Sequence, residues 1–348
     1  MPQKLRLRLV FTSFLLLPLC ELRAADNFPF ALLLARSESI PCEAGTLTES
    51  PRFIVETVAL TVGDPGCSVE PIMQPNALLQ DSESGWLKSL TMLGGIDGSK
   101  QPQDYGVNAN LGLQGNVNAS IAIDEESGLG LQAGTGIVGS QNAVRVYELL
   151  GEATSRTQSY TTIGLFQRTD SGFVWAIAHD FLIEQSYDTF LLSQWRGRVG
   201  YDVNGLNQYG ITAQLRGLED TGNFLGGPVS LRTINQGSLY WRHTWETQTQ
   251  TTFWLGLAEN HGENNAVTGP SAAQGIVPLL GADFLAPLND HFALYGETNL
   301  MMPADTGTVD AFLGLQWFPH GGAKLARRTR FSPVFAVAAP TSISVDLR

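Results

Sequence analysis

One stretch constrains this chain more than any other. Leu191 to Asp202 reads Leu-Leu-Ser-Gln-Trp-Arg-Gly-Arg-Val-Gly-Tyr-Asp. In a strand, alternate side chains point to opposite faces. Leu191, Ser193, Trp195, Gly197, Val199 and Tyr201 then share one face, and Leu192, Gln194, Arg196, Arg198, Gly200 and Asp202 the other. A soluble sandwich would turn the first face inward and the second to water. A barrel in lipid does the reverse: its apolar face is outside and its polar face lines a lumen.

The rest of the chain favours the barrel. Met1 to Leu19 has a basic start (Lys4, Arg6, Arg8) and an apolar core, followed by Leu22-Arg23-Ala24. Residues 1–24 therefore read as a cleaved secretory signal, with lipidation at Cys20 as the alternative. Cys42 and Cys67 then form the remaining pair, expected as a disulfide closing a loop of roughly 25 residues worth about 3 kcal/mol. Residues 25–85 carry six prolines and no sustained alternation, so they read as a periplasmic N-terminal extension, with a lumen plug as the other option. The formal net charge of −12 argues against a nucleic-acid partner.

From Trp86 the alternation becomes regular. Leu111, Leu113, Val117, Ala119 and Ile121 oppose Asn110, Gln114, Asn116, Asn118 and Ser120. A row of amides is costly against hydrocarbon and cheap against water. About twelve such segments follow one another between 86 and 318, with Val229 to His243 expected as one strand after the loop near 219–228. Short turns near 124–128, 169–172, 203–207, 244–249 and 288–290 alternate with longer loops near 139–157, 184–190, 219–228 and 260–274. Asn204-Gly205 is a hairpin signal. The pattern predicts an all-β fold: an antiparallel transmembrane barrel of about 12 strands, with short periplasmic turns and long external loops. Trp317-Phe318 is expected as an aromatic girdle and terminal signal for the barrel-assembly machinery. Residues 319–348, with Lys324, Arg327, Arg328 and Arg330, are expected as a periplasmic tail.

Several runs carry a family resemblance: Lys100 to Asp104, Gly106 to Asn110, Arg156 to Ser159, Gln194 to Tyr201, Trp241 to Trp245, and Pro303 to Asp310. Over roughly Trp86 to the C-terminus the chain resembles an uncharacterised family of predicted outer-membrane barrels from planctomycete bacteria. The resemblance implies a fold and an outer-membrane address. It implies no activity and no functional residues.

The charges expected to line the lumen are Arg168, Asp180, Arg196, Arg198, Asp202, Arg216, Asp283, Glu297 and Asp310. Opposed arginines and carboxylates set a transverse field in a narrow pore; alternatively they pair and close it. Of the histidines (His179, His243, His261, His291, His320), none stands in a His-x-Ser pair, and no Gly-x-Ser-x-Gly elbow occurs. Asp220, Asn223, Asn260, Glu263, Asn264 and Asn265 lack the spacing of a calcium loop. The expectation is a non-enzymatic passive channel for small polar solutes, without cofactor or metal, whose partners are the lipid bilayer, the assembly machinery and the solutes. A sealed structural or adhesive barrel acting through its external loops is the alternative, and an outer-membrane lipid hydrolase is third.

Overall fold

The computed structural model describes residues 88–104, 108–143, 146–149, 151–259, 275–302 and 307–347. The signal segment, the N-terminal extension with Cys42 and Cys67, and His261 lie outside the described residues.

Among the described residues fifteen strands follow in order: β1 (Thr91–Lys100), β2 (Asn110–Asp124), β3 (Leu129–Asn142), β4 (Ser155–Arg168), β5 (Phe173–Gln185), β6 (Thr189–Val203), β7 (Asn207–Arg216), β8 (Asp220–Phe224), β9 (Gly227–Thr233), β10 (Gln236–Thr244), β11 (Gln250–Glu259), β12 (Ile276–Pro287), β13 (Phe292–Met301), β14 (Val309–Trp317) and β15 (Val345–Leu347). Twelve of them close into one antiparallel barrel, in which β7 pairs with β10 and β14 returns to β1. The other three form a small sheet in the order β15-β9-β8.

The alternation seen in the sequence is the alternation of the wall. Along β4, Thr161 and Ile163 are exposed while Tyr160, Thr162, Gly164 and Phe166 are buried. Leu111, Leu113, Ile137, Ile177, Ile211, Leu239, Leu255 and Leu313 also face out, which gives the barrel a continuous apolar exterior. Exposed apolar surface on that scale is stable against lipid and not against water. Outward aromatics gather near the short turns. Trp241 stacks on Phe253 with ring centroids 6.1 Å apart, and its indole N–H donates to Asn207 Oδ1 at 3.0 Å. An apolar body with one hydrogen-bonding tip suits an interface.

The turns at 125–128, 169–172, 204–206, 245–249 and 288–291 all lie at one end, the turn end. The other connections lie at the opposite end, the loop end; one of them, expected as a longer loop near 184–190, is only the three-residue turn 186–188. Asn204 and Gly205, in the three-residue turn 204–206, have φ of 54° and 68°, the left-handed conformation that asparagine and glycine adopt most readily.

Two expectations need correction. The segment 229–243 was read as one strand after a loop, but the chain breaks at 234–235. Residues 220–233 leave the barrel as the β8–β9 hairpin, and Asn235 makes the re-entry. Its Oδ1 accepts from the Arg216 backbone N–H at 2.7 Å, and its Nδ2 donates to Glu259 at 3.0 Å. The second correction is larger. Residues 319–347 do not hang from the turn end; they run back up inside the barrel and end as β15 at the loop end. Twelve strands enclose more space than inward side chains of ordinary size fill, and the tail occupies it.

Candidate functional site

The site is the lumen together with the segment threaded through it. The entry is made at the turn end. The Phe318 backbone N–H donates to His291 O at 2.8 Å. Gly321 and Gly322, with φ of 79° and 88°, then reverse the chain. Phe318 is buried inside the barrel with Leu93, Leu285, Tyr295, Phe312, Ala323 and Ala326. It therefore differs from the exposed terminal aromatic expected of it; Trp317 does face out. The basic residues that follow are spent inside and around the rim. Arg327 pairs with Asp283 at 2.8 Å and lies over the Tyr295 ring. Arg328 donates to Gln248 at 2.6 Å, and Arg330 pairs with Asp170 at 3.1 Å.

Midway up, the wall made by β2 to β6 holds the tail by its backbone. Gln132 Oε1 accepts from the N–H groups of Val334 (2.9 Å) and Phe335 (3.1 Å), while its Nε2 donates to Phe335 O at 3.1 Å. Asn118 donates to the same carbonyl at 2.9 Å. Thr162 Oγ1 accepts from Ala338 N–H at 2.9 Å. Arg196 donates to Ala336 O at 2.9 Å and Arg198 to Val334 O at 3.4 Å. The two guanidinium groups also flank Phe335, at 4.8 and 5.4 Å from its ring centroid. Behind them, Asp180 pairs with Arg196 at 2.6 Å and accepts from Thr162 at 2.7 Å and Gln194 at 3.0 Å. A buried carboxylate with that many donors fixes the arginine that grips the tail.

At the loop end, Gln101 donates to Pro340 O and Ile343 O at 3.1 and 2.8 Å, and accepts from Val345 N–H at 3.2 Å. β15 then pairs with β9, and Asp346 pairs with Arg232 at 3.2 Å. Val337, Ala338, Ile343, Val345 and Leu347 pack with Val138, Tyr160, Leu182, Phe190, Leu192 and Leu231. This is a hydrophobic core inside a barrel.

Each of the nine charges singled out in the sequence sits on an inward position of its strand. They do not form one zone. Arg196, Arg198, Arg168 and Asp283 bond the tail, Arg168 through Ser332 O at 3.4 Å. Asp180 supports Arg196. Asp310 accepts from Ser99 at 2.7 Å and from Gln101 at 3.2 Å. Arg216 lies under the β8–β9 hairpin, donating to Thr233 O at 3.0 Å and pairing with Glu219 and Glu259. Asp202 accepts from Gln208 at 2.9 Å, and Glu297 from Tyr295 at 2.5 Å. Of the neutral grippers, Asn118 and Gln194 were read as inward polar residues but not as contacts of the tail, and Gln101, Gln132 and Thr162 were not singled out. The available signal was in the tail: Pro333-Val-Phe-Ala-Val-Ala-Ala-Pro340 is too apolar for a segment left in water.

A cavity of about 190 Å³ remains beside the tail, lined from β7 and β10 to β13 and also by Leu93, Asn116, Asn118, Arg196 and Arg198. Arg198, Tyr240, Arg242, Trp254, Asp283 and Glu297 are among its walls. The histidines are elsewhere. His179 lies between Phe181 and Trp195 on the outer face, and His243 beside Trp245 at the girdle. Among the described residues no group of histidine, cysteine and acidic side chains is arranged to hold a metal.

Fold and lumen together define a twelve-stranded antiparallel barrel filled by its own C-terminal segment. The chain belongs to a family of unknown function, DUF6666, whose profile matches residues 89–345, barrel and tail alike. No curated protein matches it. Among solved structures it is similar to the translocator domain of the autotransporter NalP from Neisseria meningitidis, at 12% identity and TM-score 0.42, covering 66% of this chain and 87% of that one. It is also similar to outer membrane phospholipase A from Escherichia coli, at 8% identity and TM-score 0.36, covering 65% and 95%. The KdgM porin matches at 10% identity and TM-score 0.34, covering 65% and 98%. No residue role follows from these similarities.

Proposed function

We propose that the protein is an outer-membrane barrel, exported to that membrane, whose lumen is kept shut to solutes by its own C-terminal segment. In this reading it is non-catalytic and serves as a membrane-embedded support for the structure at its loop end. The apolar exterior and the girdle at the turns support the membrane placement. The observation that carries the sealed lumen is the bonding of the tail's backbone at every level, from Gln250 at the turn end, through Gln132 and Arg196, to Gln101 and β9 at the loop end. A solute would have to displace that segment. With each buried hydrogen bond costing about 1–3 kcal/mol to leave unmade, displacement is expensive. The arginines expected to set a selectivity field thus serve as clamps.

Single-channel recording of the refolded protein in a planar bilayer tests this. The full chain should give no steady current steps, and a chain ending at Phe318 should give large ones. A second reading, the passive channel for small polar solutes, is favoured by the charged cavity beside the tail. Regular conductance steps from the full chain would establish it instead.

A further inference from the structure

The cavity wall holds two arginines, Arg198 and Arg242, that have no direct carboxylate partner among the described residues. Most arginines of the lumen have carboxylate partners: Arg196 has Asp180, Arg327 has Asp283, and Arg156 has Asp104 and Glu184. Arg198 and Arg242 form no ion pair among the described residues. Arg242 is 8% exposed, and its one hydrogen bond runs from Nε to Thr252 Oγ1 at 3.1 Å. Its two terminal nitrogens have no protein acceptor among the described residues. Arg198 spends one nitrogen on a long 3.4 Å bond to Val334 O. A buried guanidinium with empty donors is costly unless an acceptor enters with it.

The two side chains are brought together by Tyr240. Its ring lies flat along the wall, because a Cβ on Gly200 or Gly210 would collide with it. Arg198 sits over that ring, 4.9 Å from its centroid. Arg242 is the next inward residue on the same strand, β10. The nearby carboxylates bond elsewhere: Asp283 pairs with Arg327, its charge reaching Arg242 without a direct ion pair, and Glu297 accepts from the Tyr295 hydroxyl. About 190 Å³ is several times the roughly 30 Å³ a water molecule occupies, so a small polyatomic ion fits.

We propose that the chamber beside the tail binds a small free oxyanion of the phosphate or carboxylate class between Arg198 and Arg242. The planar fork of a guanidinium matches two oxygens of such an ion. The site is independent of whether the barrel conducts, because occupancy does not require passage.

The test uses the full chain folded in uncharged detergent. Its unfolding midpoint, read by heat-modifiable gel mobility, is followed as inorganic phosphate replaces sodium chloride at constant ionic strength. A saturable rise is expected. In the Arg198→Gln/Arg242→Gln variant the apparent affinity should fall at least roughly tenfold, as loss of a charged hydrogen bond implies. The Arg198→Lys/Arg242→Lys variant, which keeps the charge and loses the fork, should be intermediate. An unchanged midpoint in the parent protein overturns the proposal, and so does an equal rise in parent and double variant. Should the glutamine variant not fold, Arg242→Lys alone decides: an undiminished phosphate response would overturn the site.

Discussion

The two walls of the lumen are built from the same alternating strands and do opposite things. The wall of β2 to β6 presents amides, a threonine and the arginines Arg168, Arg196 and Arg198, and it bonds the tail's backbone repeatedly. The wall of β7 and β10 to β13 carries Tyr240, Arg242, Trp254, Asp283 and Glu297 and faces a cavity that Asn116, Asn118, Arg196 and Arg198 of the first wall also line. The difference teaches that an inward polar face is not in itself a pore lining. A carboxamide carries a donor and an acceptor, so one Gln132 satisfies both groups of a passing backbone. An arginine donates only, and on the second wall the tail's backbone is met near the turn end, by Gln250 at Ala326 O.

The comparison can be broken from the tail side first. Phe335 is buried with Phe166, Val174, Ala176, Ala178 and Val334 and is flanked by both guanidinium groups. Phe335→Ala should cost about 3–5 kcal/mol in urea unfolding monitored by mobility shift. A loss below 1 kcal/mol would mean that the tail is not packed there. Seen from outside, the walls should be equivalent. Ile163 on β4 and Leu255 on β11 are 49% and 66% exposed. Arginine at either should cost about 2–4 kcal/mol and impair membrane assembly alike, since lipid does not sense what lies within. An assay in which one is tolerated would remove that strand from the lipid face.

The inner comparison is sharpened by two truncations of the same chemistry. Gln132→Ala orphans two buried N–H groups of the tail and should cost about 1–3 kcal/mol. Gln214→Ala, on the cavity wall where the side chain bonds Gln236, should change stability by about 0.5 kcal/mol or less. Equal losses would erase the distinction between the walls. The smallest effect is at the loop end. Asp188 accepts from the backbone N–H groups of Asn223 and Thr189, which hold its carboxyl below the usual value of 3.8. Its contribution to docking the β8–β9 hairpin is thus present above the unfolded value and lost as pH falls through the folded one. Pepsin cleavage within 217–235 should rise as pH drops from 5 towards 2, and Asp188→Asn should flatten that dependence. An unchanged profile in the variant would take Asp188 out of the hairpin's support.

The wall was legible in the sequence because strand period is a local property. Leu191–Asp202 shows two faces whatever surrounds it, and Asn204-Gly205 needs positive φ regardless of context. The occupant of the lumen was not legible, since nothing local in Gln132 or Thr162 says that a segment some 200 residues later will bond them. The same blindness joined 229–243 into one strand, because β9 belongs to a separate small sheet with β8 and β15. The clue available was compositional: a run as apolar as 333–340, flanked by arginines, has to be covered by something.

The most direct test of a tail inside the barrel is a cross-link across its middle. With Cys20, Cys42 and Cys67 changed to serine, Thr162→Cys and Ala338→Cys place two thiols at a point where the parent protein has Ala338 N–H donating to Thr162 Oγ1 at 2.9 Å. In membrane-assembled protein, oxidation or a short thiol-to-thiol reagent should join the peptides containing 162 and 338, detected by mass spectrometry. Failure to join them, with the cysteine at 338 instead reacting freely with a membrane-impermeant thiol reagent, would place the tail outside and contradict the account.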